Sequence, residues 1–185
     1  MELIDKYLPE SDFRETHSRE VLASPEIVME TVLAYKPDSD PLFRSAIALR
    51  ELPMRMLSVL GSKHEAATAP FGFSNFTLLE SWLGRELAYG LVGRFWRSDY
   101  GLVPIADGAA FQVFETPGVA KLVLGFSATS QGNGKTKLVT ETRVFCPDRD
   151  TYRSFAPYWY LIRPVSGLIR ARTLKSIQRA SEGSR

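Results

Sequence analysis

At 185 residues, with 44% hydrophobic and 24% charged side chains, the chain has the size and texture of one globular domain and lies far from disordered compositions. A net charge of +2 gives no overall field for a polyanion, one cysteine forms no internal disulfide, and no stretch stays apolar long enough to span a bilayer. The start, Met1 to Lys6, carries acids where an export signal needs a basic flank and an apolar run, so a single cytoplasmic domain over 1–185 is expected.

Phe13 to Leu22 mixes charged and β-branched residues, with Phe13, His17 and Val21 on one alternating face; it is predicted as the first strand. Ser24-Pro25-Glu26 then supplies a cap residue, a proline suited to the first helical position and an acid for the positive helix end, which predicts a helix to about Tyr35, before Pro37. Asp40-Pro41 repeats that start signal for a second short helix, Pro53 to Leu60 forms a third, and Ser62 to Pro70 reads as a polar loop. The texture changes after Phe71. Short runs rich in Phe, Val, Leu, Thr and Tyr predict strands at Phe71 to Leu79, Glu86 to Trp96, Ala109 to Glu115, Val119 to Ser130 and Lys135 to Cys146. Asn133-Gly134 between the last two favours a type I′ turn, because both residues tolerate positive φ. From Thr151 to Ala180 the apolar residues recur at helical spacing and predict one long terminal helix, with a kink expected near Arg163 to Gly167 where Pro164 removes an amide.

Four segments carry a resemblance: His17 to Val28 with its Ser-Pro-Glu helix start, Gly93-Arg94-Phe95-Trp96, Glu141-Thr142-Arg143-Val144, and Ser166-Gly167-Leu168-Ile169-Arg170. In the order strand, helical block, antiparallel strands and long helix, the chain resembles the START-like (SRPBCC) superfamily, in particular its bacterial polyketide cyclase/dehydrase and lipid-transport members. The resemblance covers nearly the whole chain. It implies an α+β helix-grip fold, a curved antiparallel sheet wrapped around the C-terminal helix with short helices after the first strand, and a cavity between sheet and helix. It does not imply one reaction.

Candidate chemistry is sparse. Gly134-Lys135-Thr136 imitates the end of a phosphate loop but has Thr129 where that motif needs glycine, and a strand follows it; no nucleophile elbow exists; one cysteine and two histidines give no metal set. Neither a metal nor a cofactor is expected. His17 shares its strand face with Phe13 and Val21, so it either enters the cavity with Glu15 and Arg19 as polar neighbours or serves as a structural histidine. Glu141 and Arg143 share one face of the last strand: turned inward they orient a polar ligand head, turned outward they are solvated, and the more apolar set Leu138, Thr140, Thr142 and Val144 on the opposite face favours outward. Phe95, Trp96, Phe126, Phe155, Tyr158, Trp159 and Tyr160 supply apolar wall or core.

The tail from Arg149 to Arg185 has eight basic residues against two acids, and Arg172, Lys175 and Arg179 share a helical face. Such a face suits solvent or an anionic partner, but no nucleic-acid motif accompanies it, so neither nucleic acid nor stable membrane insertion is expected, while a homodimer stays open. With no clear nucleophile or base, the first reading is a carrier or sensor of a small hydrophobic or aromatic molecule. Its candidate contacts are His17, Phe95, Trp96, Phe126, Glu141, Arg143, Phe155, Tyr158 and Trp159. The alternatives are a cyclase or dehydratase in which His17, Glu141 and Arg143 move protons, and an interaction protein using the basic C-terminal helix.

Overall fold

The computed structural model describes residues 2–35, 73–97 and 99–183. Five strands, β1 (Phe13–Val21), β2 (Thr77–Trp82), β3 (Glu86–Gly93), β4 (Ala120–Gly132) and β5 (Lys135–Phe145), form one curved sheet in the order β1-β5-β4-β3-β2. Every neighbouring pair is antiparallel. A short α1 (Leu3–Tyr7) precedes the sheet, α2 (Pro25–Ala34) follows β1, α3 (Gly108–Gln112) lies before β4, and α4 (Arg149–Gly183) ends the chain. The fold is α+β, and α4 against the sheet is a helix-grip arrangement. The helices expected at Asp40 and at Pro53 to Leu60, and the loop Ser62 to Pro70, lie outside the described residues.

The local signals explain most of these elements. Asn133 and Gly134 take φ of 51° and 71°, the two positive values of a type I′ turn, and Gly132 pairs directly with Lys135 across it. Ser24 is the N-cap of α2 with Pro25 at its first position, although the Ser24 hydroxyl makes no capping bond to the helix amides. α4 starts where Asp148 Oδ1 accepts from the Thr151 amide at 2.7 Å, and Oδ2 accepts from the Thr151 hydroxyl at 2.7 Å and the Gly118 amide at 2.8 Å. The Gly118 amide foremost, then Thr151, holds the Asp148 carboxyl down at about 2.

One predicted strand is a helix. Ala109 to Glu115 alternates like a strand, but Asp107 caps Ala110 through a 2.8 Å bond, and the chain turns into α3 so that Phe111 is fully buried. The strand expected from Phe71 begins later, at Thr77, after a 3-10 turn at Phe73–Asn75. β3 stops at Gly93, so Phe95 and Trp96 lie in the turn beyond it, where the Arg94 amide donates to Tyr100 at 2.8 Å. α4 runs 35 residues through both Pro157 and Pro164.

The sheet is covered on both faces. On one, Phe13 and Val21 of β1 pack with the inward residues of β3, β4 and β5, including Leu87, Leu124, Phe126 and Leu138, against α2 and Phe155, Tyr158, Trp159, Ile162, Leu174 and Ile177 of α4. On the other, α1 and α3 seal a smaller core of Leu3, Ile4, Tyr7, Leu79, Phe111 and Val123. Gly90 permits that seal. A Cβ there would meet Leu79 Cδ2 at 2.7 Å and Phe111 Cδ2 at 2.8 Å. Among the described residues no helix is long and apolar enough to cross a membrane.

Candidate functional site

A cleft opens between the sheet and α4. Its apolar wall is Phe95, Leu122, Phe155, Tyr158, Trp159 and Ile162, with Phe76 at one side. Its polar wall is Glu15 from β1, Thr142 from β5, and Ser166 and Arg170 from α4. The cleft encloses about 450 Å³ between atoms, part of it continuous with solvent.

The strand period puts the polar groups together. Residues two apart on β1 share a face, so Glu15 and His17 both look toward α4, and register places Glu15 opposite Thr142 and His17 opposite Thr140. His17 Nε2 lies 2.7 Å from Glu15 Oε1; a carboxylate accepts only, so the imidazole donates from Nε2. Arg170 Nη2 donates to Thr142 Oγ1 at 3.0 Å. Ser166 and Arg170 are four apart and share a helix face, while Gly167 lets α4 approach: a Cβ there would stand 3.2 Å from Glu15 Oε1 and 3.6 Å from His17 Cε1. Further along β1, Arg19 Nε bonds Gln178 of α4.

The residues singled out from sequence divide into four groups. Phe95, Phe155, Tyr158 and Trp159 line the cleft, with Phe155 at the centre of an aromatic cluster in contact with Phe13, Phe95, Trp96, Tyr158 and Trp159 at centroid separations of 5.1–6.3 Å. His17 stands behind Glu15, Trp96 behind Phe155, and Phe126 in the core edge-on to Tyr89. Tyr160 is exposed.

Glu141 and Arg143 belong to the opposite face. They pair, as two residues apart on a strand can, but beneath α1: Arg143 Nε reaches Glu141 Oε1 at 2.5 Å, Arg143 Nη1 reaches Asp5 Oδ1 at 2.8 Å and the Leu8 carbonyl at 3.0 Å, and Arg14 Nη2 reaches Glu141 Oε2 at 2.7 Å. They are not solvated either, since α1 covers them and Arg143 is only 5% exposed. Desolvation opposes the charge on Glu141, yet hydrogen bonds from Arg14 and Arg143 outweigh it and hold the carboxyl below its ordinary value. Their chemistry is spent on anchoring α1. A second depression beside this network is lined by Glu2, Arg14, Gly125, Lys137 and Glu141, but Arg14 and Glu141 already satisfy each other there.

Sequence reasoning named Glu15 only as a neighbour of His17, and it attached no chemistry to Thr142, Ser166 or Arg170. Period-2 alternation already placed Thr142 with Leu138 and Val144 on the apolar face, where a hydroxyl needs a reason. That was the available signal.

No family model matches the chain, and no curated protein matches it. Among solved structures, the chain is similar to a structural-genomics crystal structure of a Mesorhizobium loti protein, at 15% identity over 87% of this chain and 98% of that one. The TM-score is 0.32.

Proposed function

We propose that this protein binds a small, largely apolar molecule in the cleft between the sheet and α4, as a carrier or sensor, in keeping with the START-like family its sequence resembles. The supporting observation is the composition of the cleft: an aromatic wall of Phe95, Phe155, Tyr158 and Trp159 that ends in Glu15, Thr142, Ser166 and Arg170. Apolar walls with a few placed polar groups are what small-ligand sites need. The reading places the protein in the cytoplasm, in keeping with a Cys146 that is buried and unpaired.

Titration with an apolar fluorescent probe tests it. Saturable binding that changes tryptophan emission is the expected result, with weaker binding in Trp159→Ala. That substitution also removes core contacts, at a cost of about 3–5 kcal/mol, so thermal unfolding is followed in parallel. A probe that never saturates the wild type refutes the reading. Native mass spectrometry of protein purified from its own host would give the mass of the natural occupant.

One observation favours a second reading, proton-transfer catalysis of the cyclase or dehydratase kind: the 2.7 Å Glu15–His17 pair at the polar end. Exchange of solvent deuterium into a bound enolisable ketone, abolished in His17→Gln, would support it. No exchange above the rate in buffer would leave the binder.

A further inference from the structure

Glu15 is the most demanding group in the cleft. Its side chain is 10% exposed, and Oε1 is taken by His17, whereas Oε2 has no hydrogen-bond donor among the described residues. A nearly buried carboxylate with one open oxygen calls for a donor from whatever fills the space beside it. One register position away, Thr140 Oγ1 is buried at 1% exposure and also lacks a partner among the described residues. Thr140 Oγ1 is enclosed without a partner, and Glu15 Oε2 stays open to the cleft, where a bound polar atom would take the place of water beside it.

The surroundings select among polar heads. A carboxylate would bring a second negative charge against Glu15, and an ammonium would enter a site whose other charged wall residue is the Arg170 guanidinium. A neutral hydroxyl suits both. It donates to Glu15 Oε2 and accepts from an N–H of Arg170, which Thr142 holds at the same end, or from the Ser166 hydroxyl that lines the cleft. The geometry points to a ligand with a neutral hydroxyl, phenol or alcohol, on an aromatic or apolar body, chosen over its acid and amine analogues through Glu15. This rests on the proposed cleft reading and narrows it to a chemical class.

Calorimetric titration of the full chain at pH 7 with four matched probes tests it: naphthalene, 2-naphthol, 2-naphthoate and 2-naphthylmethylamine. The expected order has 2-naphthol about tenfold tighter than naphthalene, as one hydrogen bond to a charged group provides, and tighter than both charged probes. Glu15→Gln should lose most of that preference and bind 2-naphthoate better than the wild type does, with naphthalene affinity unchanged as the sign of an intact cleft. Equal affinity for naphthalene and 2-naphthol, tighter binding of either charged probe than of 2-naphthol, or an unchanged ranking in Glu15→Gln would overturn the inference and leave the cleft reading standing. Failure of all four to bind would remove both.

Discussion

Replacing Arg143 by methionine separates an α1 anchor from a ligand contact. The side chain is 6% exposed and is lost together with its bonds to Glu141, Asp5 and the Leu8 carbonyl. Stranding one partner of a buried ion pair costs about 3–5 kcal/mol. Two features here lower that figure: Glu141 keeps Arg14 at 2.7 Å and Thr16 at 3.3 Å, and Asp5, 41% exposed, regains water. The Leu8 carbonyl loses a partner, which adds back about 1 kcal/mol. A net destabilisation of about 2–4 kcal/mol follows, and for a chain of this size each kcal/mol moves Tm by about 2–4 °C. Urea unfolding measures the loss, and a double-mutant cycle with Glu141→Gln should give a coupling above about 1 kcal/mol. Amide exchange in Leu3–Tyr7 should accelerate more than in β3. A loss under about 1 kcal/mol with no coupling would refute the anchoring argument, and weaker probe binding at unchanged stability would return Arg143 to the ligand site.

Acid should unfold the protein through carboxylates held low in the folded state. Glu80, lowered from 4.5 to about 2 first by Lys6 and then by Tyr7 and Trp82, and Asp148, lowered from 3.8 to about 2, contribute stability above pH 4.5 that is lost as pH falls toward 2. Asp148→Asn should flatten part of that slope in a Tm-against-pH series; an unchanged slope would contradict it. The Cys146 thiol, pushed up to about 12 by burial and then by Asp12 and Asp148, should resist a thiol-reactive dye until the chain unfolds, and fast labelling of folded protein would contradict that. Gly90→Ala should cost about 1–3 kcal/mol by overpacking against Leu79 and Phe111, read as a lower urea midpoint.

The elements that sequence revealed are those whose signal is local and unopposed. Asn133-Gly134 needs only its own φ angles, β1 needs only its alternation, and the terminal helix needs only its apolar spacing. Ala109 to Glu115 misled because Ala-Ala-Phe-Gln-Val-Phe alternates as well as it winds. Asp107 decides between the two by offering its carboxylate to Ala110, and Phe111 then fills the space over Gly90. α1 escaped notice because five residues carry too little periodicity, and its stability comes from Arg143, Glu80 and Glu86, far away in the sequence. Alternation correctly put Glu141 and Arg143 on one face, but whether that face meets a cavity, water or another helix depends on how α1 folds back. The aromatic wall was legible on α4 for the same reason that the polar wall was not: tyrosine, tryptophan and phenylalanine announce burial by type, while Thr142 and Ser166 gain their meaning only from Glu15 across the sheet.

Pro157 and Pro164 give α4 a mechanical character that its unbroken course conceals. Each lacks the amide that would bind the carbonyl four residues earlier, so the Arg153 and Tyr160 carbonyls go without that rung, at exposed positions. The two missing rungs bracket Tyr158, Trp159 and Ile162, the part of the helix that walls the cleft. Fewer backbone bonds therefore run along the helix where the wall stands, although Tyr158, Trp159 and Ile162 there pack into the same core as Leu174 and Ile177 beyond. With two rungs missing, this part of α4 resists bending less than a helix with its full ladder.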